Sequence, residues 1–329
     1  MTLQSFENLV PMMMIDAVEE AIGQRMGGLA APLPSYINRV YEFETATGTR
    51  LIAKFYRPGR WSMEALAEEH QFVRQCAALE IPVVAPLALQ NGSTLATTID
   101  NIHFAVYPKR SGREIEINDE EAWRRIGSLI ARVHNVGDDE DAPHRLMHHP
   151  LETTGEEIGK LLDGGYIVPM HRKAFRAIAD RIMDLIVPLF DDIEFIRIHG
   201  DCHRANILER PGEGLMLIDF DDMMVGPPIQ DLWLLLPEHA LESRQEIDWL
   251  LSGYTMLRDF DRRTLRLIEP LRAMRMIYFL AWIAQQSVDF NFMQRFEGWG
   301  TDAFWRREIT DLEQQYEVIG ESLQADLPL

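Results

Sequence analysis

Hydrophobic and polar positions follow two periods along this chain, and its first part combines strand-like and helical segments. Residues 11–26 and 63–79 carry apolar side chains at helical spacing and predict amphipathic helices. A glycine- and proline-rich segment at 27–34 predicts a break in regular structure, and 81–89 predicts an extended segment. Short apolar runs bounded by turn residues predict strands at 39–43, 51–56, 94–98 and 103–107.

After residue 108 the pattern is mostly helical, with one group of short strands inside it. The helical segments are 120–134, 172–189, 243–257, 265–286 and 304–323. The strand-like segments are 195–198, 206–209 and 215–220. We therefore predict an α+β fold with a small β-rich N-terminal lobe at 1–108 and a larger, mainly helical C-terminal lobe at 109–329. Such a layout is expected to enclose a ligand between lobes.

The main chemical signal is a loop that precedes the second of these strand-like segments. In it, Asp201 and Asn206 are separated by four residues, and Asp219 follows at the end of a later strand, before Phe220. A loop carboxylate can accept the proton of an attacking hydroxyl, while amide and carboxylate oxygens suit Mg²⁺. The order His-x-Asp-x-x-x-x-Asn, hairpin, Asp-Phe is typical of protein kinases. We predict an ATP- and Mg²⁺-dependent phosphotransferase of bilobed, protein-kinase-like fold, with Asp201 and Asp219 catalytic and Asn206 and Asp219 as metal ligands.

The nucleotide-binding side has a weaker pattern. Lys54 ends the apolar-Ala-x-Lys strand at 51–54, which is typical of a lysine directed at the α- and β-phosphates. A partner carboxylate for it is expected on the next helix, where Glu69 borders the buried face and Glu68 is the alternative. The segment 34–40, in the place of a phosphate-covering turn, contains no glycine, but Ser35 in it could donate to phosphate oxygens. We predict that Ser35, Lys54 and Glu69 bind the cofactor ATP.

Three neighbours of the loop have structural interpretations. His199 is expected to be a buried scaffold residue rather than an acid or base. Asp231 is expected to cap the following helix and to steady the catalytic loop. Cys202 is expected to be a small, partly buried filler rather than a redox switch.

Composition narrows the class of protein. The chain has 329 residues, 47% of them hydrophobic, which is ordinary for a globular enzyme. Its formal charge of −20 argues against nonspecific binding to nucleic acid or to an anionic membrane. The two cysteines form no disulfide pattern, and no signal sequence or membrane-spanning run is evident. A cytoplasmic location is therefore expected.

These residues resemble the aminoglycoside phosphotransferase and choline kinase superfamily, whose motif has the form HGDxHxxNxL followed by DFD or DFE. Within it, the chain is similar to the bacterial stress response kinase family. That similarity is carried by 35–41, 54–61, 68–72 and 268–275, and matching segments extend from about Pro32 to Trp305.

The resemblance implies a monomeric cytoplasmic serine/threonine protein kinase that phosphorylates proteins including itself and acts in stress responses. Carried over by position, Asp201 is the proton acceptor, Asn206 and Asp219 bind magnesium, and Ser35 contacts ATP. The sequence departs from the family at Ile37, where Glu is expected, at 204–205, where Ala-Gly is expected, and at Phe220, where Leu is expected. These departures concern substrate contacts more than the catalytic groups.

Three alternatives stay open at this stage. A small-molecule kinase acting on an aminoglycoside, choline or homoserine-like alcohol could use acidic Asp221 and Asp222 to hold a cationic acceptor. A metal-dependent phosphohydrolase could use His199, Asp201 and His203, but it would need further ligands. A non-catalytic nucleotide-binding scaffold would bind ATP without transferring phosphate.

Overall fold

A computed structural model describes residues 6, 9–35, 37–287, 296 and 298–325 of the chain. The chain forms two compact units. Unit 1 contains Met1–Ile117, Asn135–Arg145 and His203–Met223, and unit 2 contains Asn118–His134, Leu146–Cys202 and Met224–Leu329. The sequence-based boundary at residue 108 assumed two continuous stretches, whereas both units draw on separated segments. The assignment of roles to lobes 1–108 and 109–329 stays a prediction.

Unit 1 is built on an antiparallel sheet with strand order β1-β2-β3-β5-β4. Its strands are β1 (Met26–Leu33), β2 (Arg39–Thr45), β3 (Arg50–Phe55), β4 (Ala96–Thr97) and β5 (His103–Pro108). Two helices accompany the sheet, α1 (Pro11–Ile22) and α2 (Met63–Ala78). Helix α1 begins with proline at its first position, and α2 begins at Ser62, whose hydroxyl accepts from the Ala65 N–H at 3.1 Å.

The core of unit 1 lies between α1 and the sheet. Alternate residues of the strands point into it, as the period of two along a strand requires. Its fully buried members include Met14 and Val18 of α1 and Phe43, Ala53 and Phe55 of the sheet. Strand β3 is held in register on both sides, with Lys54 opposite Val40 of β2 and opposite Ala105 of β5.

Strand β1 occupies the segment that the sequence predicted as a break, so that prediction was wrong. The strand pairs with β2 but has an irregularity between Met26 and Ala30, and Gly28 has a φ of 84°. Proline is tolerated on an edge strand because its missing N–H costs no ladder bond there. Glycines and Pro32 are therefore compatible with this edge position.

A second, smaller sheet in unit 1 contains the hairpin that lies between Asn206 and Asp219 in the chain. Its strands are β6 (Arg113–Glu114), β8 (Ile207–Arg210) and β9 (Gly214–Leu217), in the order β6-β8-β9. The hairpin β8–β9 was predicted from the sequence, and β6 was not. Residue Leu217 also hydrogen-bonds to the Pro82 carbonyl oxygen at 2.9 Å, within the same unit.

Unit 2 is mainly helical. Its helices are α3 (Glu120–Gly137, within this unit to His134), α4 (Thr154–Asp163), α5 (Pro169–Ile186), α6 (Gln230–Trp233), α7 (Arg244–Tyr254), α8 (Ile268–Gln286) and α9 (Asp302–Gln324). Helix α8 packs against α4 and α9, and the buried Trp305 ring of α9 meets Phe175 edge to face. A two-stranded sheet joins β7 (Ile196–Ile198) to β10 (Met224–Gly226).

The α+β class predicted from the sequence is confirmed, with further local differences in unit 2. Helix α4 was not predicted, because Gly155 and Gly159 weaken its helical signal. Strand β7 pairs with β10 instead of joining the hairpin that follows the loop. Throughout the described ranges, each helix is too short or too polar to cross a lipid bilayer.

Helices α3 and α7 touch backbone to backbone at two glycines. A Cβ added to Gly127 would lie 2.0 Å from the Leu250 carbonyl oxygen, and one added to Gly253 would lie 2.0 Å from the Arg124 carbonyl oxygen. This close approach places His134 of α3 against Tyr254 of α7, with His134 Nδ1 and the Tyr254 hydroxyl 2.9 Å apart.

Substituting Gly127→Ala is expected to lower the free energy of unfolding by about 1–3 kcal/mol, because overpacking at a backbone contact forces the helices apart. Chemical denaturation measures it. The matched control is Gly159→Ala in α4, where a Cβ meets nothing within 4 Å. That variant is expected to be stabilised by about 0.5–1 kcal/mol. Equal stability of Gly127→Ala and the wild type would contradict this account.

Candidate active site

Asn206 and Asp219 lie at the same end of the β8–β9 hairpin. The Ile218 N–H donates to the Asn206 carbonyl oxygen at 3.0 Å, one step beyond the paired residues Ile207 and Leu217. Asp219 follows directly, with a φ of 64° that turns the chain sharply after the strand. The Asn206 residue is buried, whereas the Asp219 side chain is about half exposed (49%). An amide and a carboxylate are thus presented from neighbouring backbone positions.

Lys54 forms an ion pair with Asp219 within unit 1. Its Nζ donates to Asp219 Oδ1 at 2.6 Å and to Asp221 Oδ1 at 2.7 Å. Burial by itself would lower the pKa of the Lys54 ammonium, but the carboxylates of Asp219 and Asp221 outweigh it and the pKa is raised well above its usual value. Lys54 is therefore a fixed positive charge beside the turn that carries Asp219.

The acidic residues after Asp219 are already engaged. Asp221 accepts from Asn38 Nδ2 as well as from Lys54. Asp222 forms an ion pair with the guanidinium of Arg60. These contacts satisfy the two carboxylates that the sequence analysis considered for a cationic acceptor.

Glu69 is buried in helix α2 and does not form the direct ion pair with Lys54 that the sequence predicted. Arg145 Nη1 lies 3.9 Å from Glu69 Oε2, and among the described residues this oxygen accepts no hydrogen bond. Burial, and then the nearby Asp221 carboxylate, raise the pKa of Glu69 to about 8. Its neighbour Glu68 instead accepts from the His144 N–H at 3.0 Å.

Arg145 ties the Asp219 turn to α2. Its side chain is fully buried and donates to the Met223 carbonyl oxygen through Nε at 2.6 Å and to the Asp221 carbonyl oxygen through Nη2 at 2.5 Å. Its guanidinium also lies 3.8 Å from the centroid of the Trp61 ring. The sequence analysis did not identify Arg145, which follows an acidic loop and has no motif around it.

Ser35 lies half buried in the turn between β1 and β2, and Tyr36 lies outside the described residues. The role of Ser35 in binding ATP stays a prediction.

In unit 2, Asp231 organises the loop that leads to Asp201. Its carboxylate accepts from the N–H groups of His199 and Gly200, each at 2.7 Å, and lies 3.0 Å from His134 Nε2. Gln230 Nε2 donates to the Gly200 carbonyl oxygen at 3.0 Å. The predicted role of Asp231 in steadying this loop is confirmed. Its predicted role as a helix cap is wrong, because Asp231 lies inside α6, whose N-cap position is Ile229, and its carboxylate bonds the loop instead.

Asp201 directly follows the two residues that Asp231 holds. Its carboxylate accepts a hydrogen bond from Arg275 Nη2 of α8 at 2.9 Å. The next residue, Cys202, is buried, and burial raises the pKa of its thiol well above the usual value. His199 is fully buried, as expected for a scaffold residue. The structure therefore brings Lys54, Asn206 and Asp219 together in unit 1 and places Asp201 in unit 2; the joint action of Asp201 with the others stays a prediction.

The oxygen donors in unit 1 suit a hard divalent cation. Magnesium is commonly held by one or two protein oxygen ligands together with substrate phosphates. The Asn206 amide and the Asp219 carboxylate, at adjacent hairpin positions, supply such a pair. In the described part of the chain, no group of three or more His, Cys, Asp or Glu side chains is arranged as a metal site.

Comparison with known proteins gives consistent results. The phosphotransferase enzyme family matches residues 30–268. Stress response kinase A of Escherichia coli (strain K12) is 35% identical over 322 residues, covering 96% of this chain and 95% of that protein. Serine/threonine protein kinase RdoA of Salmonella typhimurium is 34% identical over 318 residues, with the same coverages.

Solved structures share the fold at lower sequence identity. An amicoumacin kinase in complex with AMP-PNP, Ca²⁺ and Ami has a TM-score of 0.74 at 18% identity, covering 93% of both chains. A microcompartment-associated aminopropanol kinase has a TM-score of 0.70 at 15% identity, covering 95% of this chain and 97% of its own. The resemblances drawn from the sequence are thereby confirmed for family and fold.

The raised pKa of Glu69 predicts a pH-dependent stability. An unfolded glutamate ionises near pH 4.5, whereas Glu69 in the folded protein keeps its proton up to about pH 8. Between these values the folded state binds more protons, so the free energy of unfolding falls as pH rises. Glutamine does not titrate, so the Glu69→Gln variant does not lose stability in this way. Its free energy of unfolding minus that of the wild type should therefore increase by up to about 1.4 kcal/mol per pH unit between pH 4.5 and about pH 8.

Denaturant titrations from pH 5 to pH 9 measure this difference. The control is Glu121→Gln on the exposed side of α3, whose stability relative to the wild type should stay constant with pH. A pH-independent difference for Glu69→Gln would show that Glu69 is ionised throughout.

Proposed function

Since the chain belongs to the phosphotransferase enzyme family, we propose that it is an ATP- and Mg²⁺-dependent protein kinase that phosphorylates serine or threonine, including residues of its own chain. The observation that carries the proposal is the contact of Lys54 with Asp219, beside Asn206, at the end of one hairpin. A phosphate-directed cation and two hard oxygen donors are the parts that phosphoryl transfer requires. The names of the relatives, which cover almost the whole chain, support protein as the acceptor.

Each residue has a distinct role in the proposed reaction. Asp201 accepts the proton of the attacking substrate hydroxyl. The hydroxyl oxygen bonds to the terminal phosphorus of ATP, and the bond between that phosphorus and the bridging oxygen breaks, so that ADP leaves. Lys54 binds the α- and β-phosphates, and Ser35 contacts phosphate oxygens. Asn206 and Asp219 would hold Mg²⁺, which when bound neutralises charge on the phosphates.

The remaining features of the proposal rest on the relatives and the composition. We propose a monomer that acts in the cytoplasm in a stress response, as the names of the similar kinases suggest. The formal charge of −20 makes nucleic acid and anionic membranes unsuitable partners.

The names of the structural neighbours favour one alternative, transfer to a small alcohol. Against a cationic acceptor, Asp221 and Asp222 are already paired with this chain's own groups. Labelled ATP distinguishes the two readings when supplied with general protein substrates and, separately, with amino alcohols and aminoglycosides. Labelling of a small alcohol but of no protein, the kinase itself included, would overturn the protein-kinase proposal.

Substituting Asp201→Asn is expected to lower the turnover number about 10²–10⁴-fold, because the amide cannot accept the proton of the hydroxyl. Transfer of labelled phosphate to a protein substrate measures the loss. The matched control is Asp248→Asn, the same change at an exposed ion pair of unit 2, which should retain wild-type activity. Activity of Asp201→Asn within a few-fold of the wild type would exclude Asp201 as the base.

A further inference from the structure

The ion pair between Arg275 and Asp201 is not accounted for by the chemistry described so far. Arg275 lies on α8, and its Nη2 reaches Asp201 Oδ1 at 2.9 Å. A base that receives a proton from an alcohol does not need a cation to do so. A permanent positive charge at this point does, however, define which groups can approach the carboxylate.

The pair is fixed in place but open to solvent. The main chain before Asp201 is held by Asp231 and Gln230, which fixes the backbone position from which the carboxylate reaches the guanidinium. The exposed fractions of the two side chains are 40% for Arg275 and 23% for Asp201. An acceptor that reaches the Asp201 carboxylate therefore also meets Arg275.

The guanidinium retains donors for a second partner. A guanidinium has five N–H donors, and among the described residues the hydrogen bond of Arg275 is the one from Nη2 to Asp201. Arg272, one turn earlier on the same helix, is neutralised by the buried Glu269 at 3.2 Å. Arg275, in contrast, bonds Asp201 through a single N–H and is 40% exposed, so its remaining N–H groups can bind a further carboxylate.

The surface next to Arg275 is aromatic. Tyr278 and Phe279 follow at positions i+3 and i+4, which lie on the same side of a helix, and both are exposed. Phe279 lies about 6 Å farther along the helix axis, at 1.5 Å per residue. An extended peptide covers this distance in about two residues.

We propose that Arg275 selects acceptors in which a carboxylate side chain lies next to the phosphorylated hydroxyl, so that the preferred substrate is an acidic serine or threonine peptide with an apolar residue about two positions from the acidic one. The guanidinium binds the peptide carboxylate in a charge-assisted hydrogen bond, and Phe279 packs against the apolar residue. This inference rests on the proposed function and specifies its substrate class.

The test compares three peptides that differ in the residue next to a single serine: Glu, Gln or Lys. For the wild type, kcat/KM is expected to be about tenfold higher with Glu than with Gln, and lowest with Lys. Arg275→Gln should abolish the difference between the Glu and Gln peptides. The matched control is Arg306→Gln on α9, which removes an equal charge from an exposed position of unit 2 and should keep the wild-type ratio.

The ratio of kcat/KM between the Glu and Gln peptides distinguishes selection of the peptide by Arg275 from mere positioning of Asp201 by Arg275. If Arg275 only positioned the carboxylate, Arg275→Gln would lower kcat for all three peptides and leave their ratio unchanged, and the inference would be overturned. Equal kcat/KM for the three peptides with the wild type would overturn it as well, while the proposed kinase activity would stand. Absence of phosphate transfer to any peptide or to the kinase itself would instead overturn the proposed function, and the inference with it.

Discussion

The ammonium group of Lys54 between the carboxylates of Asp219 and Asp221 is the interaction on which the rest of unit 1 depends. Lys54 and Asp221 are largely buried, and removing either one would leave an uncompensated charge, which costs far more than the loss of an exposed ion pair. Two further contacts hold the same turn. Asn38 donates to the side chain of Asp221, and Arg145 donates to the Asp221 carbonyl oxygen. A sheet residue and a hairpin turn are therefore held as one electrostatic cluster, and neither can be altered alone.

The fold was predictable where local pattern and tertiary structure agree. The segments around α2, β3 and α8 have clear periods, and the structure reproduces them within a few residues. Strand β1 escaped prediction because an edge strand accepts glycine and proline that a central strand would not. The pairing of β7 with β10 escaped because three-residue strands carry too little pattern to identify their partner.

Only those residues of the candidate site that belong to a local sequence pattern could be predicted. Lys54, Asn206 and Asp219 are recognised by spacing, because phosphoryl transfer constrains which residue types follow one another in the loop and hairpin. Arg145 and Arg275 have no such signal, since their partners lie 76 and 74 positions away in the chain. Side chains that act on a motif from a distance become visible only when the chain is folded.

The burial of the two cysteines has a practical and a chemical consequence. A thiol reacts as its thiolate, and Cys202, beside Asp201, is shut away from solvent in the protonated form, while Cys76 lies in the packed face of α2. Thiol-directed alkylating reagents would thus leave both cysteines of the folded protein unmodified. A cysteine introduced on the surface would consequently be modified alone, which gives a single attachment point for a spectroscopic probe without first removing the native thiols.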